Sequence, residues 1–311
     1  MRPPIRFIAV SSFPMLILAI FLGAIPASAS IQGSFQRTFQ VTGQVDLEAL
    51  SRSGDISIRS GPAGTVAISG KIHVEDHWLV GDRRAAVTEI EQNPPVHQSG
   101  SNIRIDYVDG HGISVDYEIT VPTDTVVRTQ TGSGDQRVED LHGRLDLESG
   151  SGDMRLRNTT GEVRLHAGSG NVEAWEISGP VTVETGSGDV RVDARGPGDV
   201  HVTTGSGTIE LQNVKGGLGV QTGSGDVTVQ GEQTAGWEVR TSSGNVDLQL
   251  PANAAFDLDA STGSGEIETS RQVIAIVQGK IGGSRSKITG KANGGGPALK
   301  VHTGSGDIHI N

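Results

Sequence analysis

The residues of this chain best placed to do chemistry are aspartates that follow a repeated glycine-rich corner. The motif Thr-Gly-Ser-Gly-Asp, or a near copy of it, recurs through the second half of the 311-residue sequence. Carboxylate oxygens are the ligands that calcium prefers, and the candidate calcium ligands are Asp135, Asp153, Asp189 and Asp226. A structural interpretation competes with this one: the glycines supply positive φ at a tight bend, and the aspartate caps the turn through its own backbone.

The spacing of the corners indicates a repeat architecture. Successive corners lie 18 to 21 residues apart, and the last one returns 41 residues further on. The positions that follow the corner are Asp135, Asp153, Asn171, Asp189, Thr208, Asp226, Asn245, Glu266 and finally Asp307. A fixed period of about 20 residues is typical of solenoid proteins.

The residues that follow the corners also help to decide between a calcium-binding corner and a structural corner. Calcium-binding β-rolls carry their nonapeptide twice per coil, whereas this chain has one corner per coil, and Asn171, Thr208 and Asn245 interrupt the acidic column. A phosphate-binding loop would need a lysine and a following helix, and the motif supplies neither. The sequence therefore favours a structural corner and keeps the calcium-binding β-roll as an alternative.

Two short segments of alternating polarity lie within each period. Val190-Arg191-Val192 and Val200-His201-Val202 are examples, and alternation of period two is typical of a strand with one buried face. Aligned repeats give four inward apolar columns, which contain Met154, Leu156, Leu145 and Leu147 and run to Ile267, Leu248, Phe256 and Leu258. The prediction is an all-β solenoid with about 18–19 residues and two short strands per coil.

The outward positions make two further predictions. Arg155, Glu173, Arg191 and Glu210 alternate in sign, as do Asp146 and Arg164, so stacked coils place opposite charges about 4.8 Å apart. Hydroxyl residues precede the corners, and Thr185, Thr204 and Thr222 are interpreted as an outward polar stripe for a carbohydrate or protein. The alternative for these threonines is a hydroxyl ladder that satisfies backbone groups of the corner.

The ends of the chain differ from the regular repeats. Residues 1–29 have a basic start, an apolar stretch and the cleavage site Ala27-Ser28-Ala29, which predicts a signal peptide and export to the periplasm, cell envelope or medium. Residues 30–127 predict a β-rich N-terminal part of the solenoid, with helix-forming composition from Asp82 to Gln92. Residues 128–311 hold the regular repeats, in which Gly279 to Pro297 is interpreted as a widened coil or a loop before a closing strand, Asp307 to Ile310.

The charge and composition of the chain exclude several classes of partner and binding site. The net charge is −11, and it becomes −13 when Arg2 and Arg6 leave with the signal peptide, so nucleic acid is not an expected partner. The chain has no cysteine, which excludes disulfides and thiolate sites. No segment after the leader approaches the ~20 apolar residues of a membrane span.

Catalytic candidates are few. His73, Glu75 and His77 share one strand face and could form a metal triad, although a solvated polar face is the simpler interpretation. The outward acid pairs, Asp146 with Glu148 and Asp257 with Asp259, are the candidates for a β-helical polysaccharide lyase or hydrolase, although such pairs are common on any acidic surface. Regular coils leave few insertions to form a cleft, so we expect no enzyme activity and no cofactor.

The serial Thr-Gly-Ser-Gly-Asp corners resemble the bacterial family of β-strand repeats of unknown function that carries the label "putative adhesin" and is related to GIN-type adhesin head domains. Tyr117 to Asp124 resembles the strand that leads into the first coil of that family, and Ile288 to Pro297 resembles its closing glycine-rich segment. The resemblance implies a non-catalytic surface or envelope protein, an adhesin or a scaffold, with an unidentified protein or carbohydrate as ligand. It supplies no catalytic residues.

Overall fold

The structure is a computed structural model that describes residues 31–74, 81–108, 112–279 and 285–311. The predicted signal peptide lies outside the described residues, and so do Glu75 and His77 of the predicted His73 cluster. Within the described ranges, no helix combines the length and the apolar character needed to cross a membrane.

The described chain is built almost entirely of β-strands. Its one helix in these ranges, α1 (Gly81–Gln92), lies where composition predicts it and ends just before Asn93-Pro94-Pro95. The strands are β1 (Ile31–Gln40), β2 (Asp46–Ser51), β3 (Ile56–Ser60), β4 (Thr65–Val74), β5 (Val96–Ser99), β6 (Asn102–Ile105), β7 (Ile113–Val121), β8 (Val126–Thr131), β9 (Gln136–Glu139), β10 (Leu145–Ser149), β11 (Met154–Thr160), β12 (Val163–Ser169), β13 (Val172–Ser178), β14 (Val181–Ser187), β15 (Val190–Ala194), β16 (Val200–Ser206), β17 (Ile209–Ser224), β18 (Val227–Ser243), β19 (Val246–Gln249), β20 (Phe256–Ser264), β21 (Ile267–Thr269), β22 (Val273–Gly279), β23 (Arg285–Ala292), β24 (Ala298–Ser305) and β25 (Ile308–Ile310).

The regular coils form two parallel stacks of strands. The strands that follow each corner pair in one stack, β9–β11–β13–β15, and the strands that precede each corner pair in the other, β8–β10–β12–β14–β16. Every residue of the four predicted inward columns is buried in a single hydrophobic cluster, which confirms the predicted solenoid. Burying each of these Val and Leu side chains contributes about 1.5–3 kcal/mol.

One inward position holds a polar residue whose side chain is hydrogen-bonded. Gln136 occupies the first column and is buried. Its amide nitrogen donates a hydrogen bond to the carbonyl oxygen of Glu148 at 2.5 Å, and its Oε1 accepts one from the hydroxyl of Thr129. Since Gln136 belongs to one stack and its two partners to the other, these bonds join the two stacks across the core.

The spatial order of the coils differs from their order in the sequence at the C-terminal end. The final pair, β24 and β25, lies between β18/β19 on one side and β20/β21 on the other. The prediction of a closing strand at the end of the stack is therefore wrong, because the chain turns back and inserts its last coil one place inside the end. The predicted row of Phe256 and Leu258 is also shifted by two residues, since Leu258 and Trp237 both pair with Leu299.

The N-terminal end is interleaved in the same way. The first coil, β2 and β3, pairs on one side with β8 and β9 and on the other with the later strands β6 and β7. The first coil and the last coil in the sequence are thus each the second coil from an end of the stack, where each is held by hydrogen bonds on two sides.

Antiparallel strands close both ends of the stacks. At the N-terminal end β1 pairs with β4 and β4 with β7, and α1 packs on β1 with Val87 and Ile90 buried. At the C-terminal end β23 pairs with both β20 and β22. Strand β23 therefore lies within the segment predicted as a widened coil or loop, Gly279 to Pro297. Antiparallel caps protect the edges of a parallel stack from further pairing.

Candidate functional site

The aspartates of the corner form a ladder that joins neighbouring coils. The backbone N–H of Asp153 donates to Oδ1 of Asp135 at 3.0 Å, and the N–H of Asn171 donates to Oδ1 of Asp153 at 2.9 Å. The N–H of Asp189 and then that of Thr208 continue the series at 3.0 and 2.9 Å. The prediction that each aspartate caps its own turn is wrong, because the acceptor oxygen and the donor N–H belong to different coils.

The ladder follows the spatial order of the coils through the interleaved ends. At the start, the N–H of Asp55 donates to Oδ1 of Asp116, and the N–H of Asp135 donates to Oδ1 of Asp55, both at 2.9 Å. At the other end Oδ1 of Asp307 accepts from the N–H of Glu266, while the N–H of Asp307 donates to Asn245. Each bond of this kind adds about 1 kcal/mol to the attachment of one coil to the next.

This arrangement explains the composition of the acidic column. An asparagine oxygen accepts the same hydrogen bond as a carboxylate, so Asn171 and Asn245 serve as well as Asp. Arg155 compensates two adjacent carboxylates, with contacts of 3.1 Å to Asp135 and 2.7 Å to Asp153. These contacts and the nearby acids raise the pKa of Arg155, chiefly through its hydrogen bond with Asp135.

The four calcium candidates are separate members of this ladder. Oδ1 of Asp135, Asp153, Asp189 and Asp226 each accepts a backbone N–H from the adjacent coil. In the ranges that the structure describes, no group of three or more His, Cys, Asp or Glu side chains has the geometry to hold a metal ion. The geometry of these oxygens is that of a coil-to-coil hydrogen-bond ladder.

The glycines of the corner have two different roles. The second glycine adopts positive φ in most coils, for example +153° at Gly188, as predicted, while Gly134 and Gly152 are exceptions. The first glycine is required for space instead, since a Cβ on Gly186 would lie 2.5 Å from the carbonyl oxygen of Gly168 in the adjacent coil. Both columns of glycine let neighbouring coils approach closely enough for the ladder to form.

The threonines before the corner face inward, so the predicted outward stripe is wrong. Thr185, Thr204 and Thr222 are buried, with exposed fractions of 6%, 3% and 2%. The alternation of the preceding strand continues to these positions, which places them on the same side as the apolar columns. The hydroxyl of Thr204 donates to the carbonyl oxygen of Ser206 at 3.2 Å, as the alternative interpretation expected, but the hydroxyls of Thr185 and Thr222 have no hydrogen-bond partner among the described residues.

The outward surface of the strands that follow each corner, called face A, carries the predicted charge ladder. Arg155 lies 3.8 Å from Glu173, Glu173 lies 3.8 Å from Arg191, and Arg191 lies 3.5 Å from Glu210. The alternating ion pairs hold these side chains in registered rows.

The outward surface of the strands that precede each corner, called face B, alternates in sign only in the spatial order of the coils. Its central row reads Arg104, Glu48, Arg128, Asp146, Arg164, Thr182, His201, Gly219, Glu238, Lys300 and Asp259. In sequence order this row would place Arg104 beside Arg128 and Glu238 beside Asp259. The interleaved order avoids both like-charge neighbours, which destabilise adjacent strands.

The ion pairs of face B are not all those expected from the sequence. Asp146 and Arg164 are opposite in register as predicted, but the ion pair of Arg164 is with Glu162 at 2.5 Å. The second acid pair lies beside lysines of β23, with Asp257 3.6 Å from Lys291.

The remaining sequence candidates have ordinary ionic surroundings. Asp259 lies 3.8 Å from Lys287, and His73 is 2.8 Å from Asp116. These contacts pair the Asp259 and His73 side chains with groups of opposite charge.

Two exposed aromatic side chains were not singled out from the sequence. Trp175 on face A and Tyr107 near the N-terminal end are the exposed large hydrophobic residues of the described chain, at 38% and 37%. Arg52 lies over the Tyr107 ring at 5.7 Å. The signal for Trp175 was present in Val172-Glu173-Ala174-Trp175, where strict alternation assigns the tryptophan to the outward side.

Comparison with known proteins gives a family. The model of the family described as Toastrack DUF4097 matches residues 25–177 and again residues 160–311. The chain belongs to the Toastrack DUF4097 family. The two matches overlap and together span most of the chain, as expected where one β-strand repeat continues without interruption. The resemblance noted from the corners to a β-strand-repeat family of unknown function is confirmed.

Among solved structures, this Toastrack chain is similar to a "putative cell adhesion protein" from Clostridium sporogenes ATCC 15579. The two share 14% sequence identity over 89% of this chain and 98% of the other, with a TM-score of 0.27. At this score the likeness carries no argument about fold or function. None of the curated proteins compared matches the sequence.

Proposed function

We propose that this Toastrack chain is exported and acts at the cell envelope or surface as a non-catalytic adhesin or scaffold. The observation that supports the proposal most is the registered charge ladder on face A, from Arg155 through Glu173 and Arg191 to Glu210. Side chains already held in place lose less conformational entropy when a partner binds. A long surface of such rows suits contact with an extended partner.

The sequence supports export, through the basic start, apolar stretch and Ala-Ser-Ala site of residues 1–29. Charged groups on both faces are engaged by neighbours, for example Asp257 by Lys291 and Arg240 by Glu238. General acid–base catalysis needs titratable groups gathered around one substrate position, and charged groups that pair with one another in this way support a non-catalytic role.

Surface location can be tested by cysteine labelling, because the chain has no cysteine of its own. Gln221→Cys places a thiol at an exposed position, and Val220→Cys places one at the adjacent buried position. A membrane-impermeant maleimide added to intact cells is expected to label the first variant and to leave the second unlabelled. Labelling of Gln221→Cys only after the cells are lysed would overturn the surface assignment.

A further inference from the structure

Trp175 is an isolated aromatic side chain on a charged sheet face. It lies at an outward position of β13, and 38% of its surface is exposed. Within the described chain, the indole N–H of Trp175 has no hydrogen-bond partner, so it is available to donate. A rigid ring with a free donor at its edge is typical of a recognition residue.

A free cation lies beside this tryptophan. Arg157 on β11 is the register partner of Trp175, so the two side chains emerge from adjacent strands about 4.8 Å apart. The other neighbour of Arg157, Glu139, is engaged by Arg137 at 2.7 Å. The guanidinium of Arg157 makes no ion pair or side-chain hydrogen bond with the residues that the structure describes, unlike Arg155 and Arg191 on the same face.

The backbone next to Trp175 is strained. Glu176 has a φ of +60°, in the left-handed region that favours Gly, Asn and Asp. The equivalent positions of neighbouring coils are Asp140 and Asn158, which tolerate this conformation better. Arg195 holds the carboxylate of Glu176 at 2.9 Å. Strained residues of this kind cluster at functional sites, where the surroundings hold them in place.

The surroundings of Trp175 favour a small ligand ring over a protein partner. A stable protein interface buries more than about 1,000 Å² around an apolar centre. The next exposed large hydrophobic residue of the described chain is Tyr107, on a distant coil, and the side chains around Trp175 are charged. A sugar ring fits these surroundings, because its C–H face packs on an indole and its hydroxyls meet a polar rim.

We propose that Trp175 and Arg157 form a binding site for an acidic sugar residue of a polysaccharide. The uronate ring would pack on the exposed indole, and its carboxylate would accept hydrogen bonds from the guanidinium of Arg157, a pairing that planar geometry favours. This inference names a ligand class for the contact face of the proposed adhesin, and it rests on that proposed function only for its biological setting.

The test is calorimetric titration of the purified full chain with a galacturonate hexamer and with its methyl ester, which keeps the rings and removes the charge. We expect the acid to bind at least tenfold more tightly than the ester. Trp175→Ala and Arg157→Ala should each weaken binding of the acid at least tenfold, whereas Trp175→Phe should stay within about threefold of the wild type. Tyr107→Ala, an equally exposed aromatic elsewhere, is the control and should bind as the wild type does.

The outcomes separate the two proposals. Absence of binding to the hexamer, equal binding of acid and ester, or unchanged binding by both alanine variants would overturn the acidic-sugar site. A protein partner captured by wild type but not by Trp175→Ala, with no sugar binding, would also overturn it. Surface labelling of cells is a separate measurement, so uronate binding by a chain that is labelled only after lysis would overturn the surface assignment alone. Both alanine positions are exposed, and circular dichroism of the variants confirms that each sample is folded.

Discussion

The second glycine of each corner offers the sharpest test of how the coils are held together. A Cβ built on Gly188 lies 2.0 Å from the carbonyl oxygen of Gly170 in the adjacent coil, and the φ of Gly188 is +153°. An alanine there needs the two coils to separate by about 1 Å to reach even the shortest tolerated contact, because both atoms involved belong to the backbone or adjoin it.

The expected loss of stability can be estimated from the hydrogen bonds that this separation of the coils breaks. The N–H of Gly170 donates to the carbonyl oxygen of Ser187 and the N–H of Asp189 donates to Oδ1 of Asn171, both at 3.0 Å between the same two coils, and a further 1 Å exceeds the hydrogen-bond range. Two lost bonds at about 1 kcal/mol each, with the cost of the strained backbone, give a loss of about 3 kcal/mol for Gly188→Ala. For a domain of this size that corresponds to a fall in Tm of roughly 5 °C.

Urea unfolding followed by circular dichroism measures this loss of stability. Alanine substitutions at two further glycines should have smaller effects and serve as comparisons. Gly186→Ala meets a backbone oxygen at 2.5 Å and should cost about 1–3 kcal/mol. Gly236→Ala is the matched control, because its nearest atom is 3.9 Å away, and it should be neutral or stabilise by up to about 1 kcal/mol. A Gly188→Ala chain as stable as wild type, or a Gly236→Ala chain equally destabilised, would refute the close-approach argument.

Three other substitutions probe the ladder, the core and the coil order. Asp189→Asn should leave the free energy of unfolding nearly unchanged, whereas Asp189→Ala should lower it by about 1 kcal/mol because the N–H of Thr208 in the next coil loses its acceptor. The Tm of either variant should not change when calcium or a chelator is added. A calcium-dependent rise in Tm would contradict the structural role of Asp189. Burial raises the pKa of the Tyr117 hydroxyl, which has no hydrogen-bond partner among the described residues, so its contribution to stability is intact below the ordinary pKa near 10 and is lost as pH rises toward the folded value. Tyr117→Phe should reduce the alkaline loss of stability, and an identical pH profile would argue against it. Lys300→Glu should lower Tm at low salt by placing three acids in a row with Glu238 and Asp259, and the difference from Lys300→Gln should shrink in 1 M salt; a salt-independent difference would mean that charge order is not the cause.

Alternation made the core of this fold predictable, because a period of two is a local property of each strand. Met154 and Leu156 could be assigned inward without knowing which strand lies beside them. The same rule, carried one step further, would have placed Thr185 inward as well. It was misassigned because its polar side chain and its position at the corner suggested the surface.

The order of the coils could not be obtained in the same way, because it depends on pairing between distant segments. The corners are nearly identical, so Thr303 stacks on Thr241 or on Thr262 equally well by sequence alone. The information that separates these alternatives lies in outward charges such as Lys300, whose sign fits only between two acids. The Trp175 and Arg157 pair could not be predicted for a related reason, since a cation without an ion pair is recognised only when the partners of its neighbours are known.

The spatial order of the coils is the central claim, because the ladder, the charge rows and both faces follow from it. Arg240→Cys with His302→Cys joins adjacent coils, within the Cα separation that a disulfide accepts. Arg240→Cys with Ser261→Cys joins coils that β24 separates, at about twice the strand spacing. In the otherwise cysteine-free chain, mild oxidation is expected to cross-link the first pair and leave the second reduced. Cross-linking of the second pair and not the first would contradict the interleaved order.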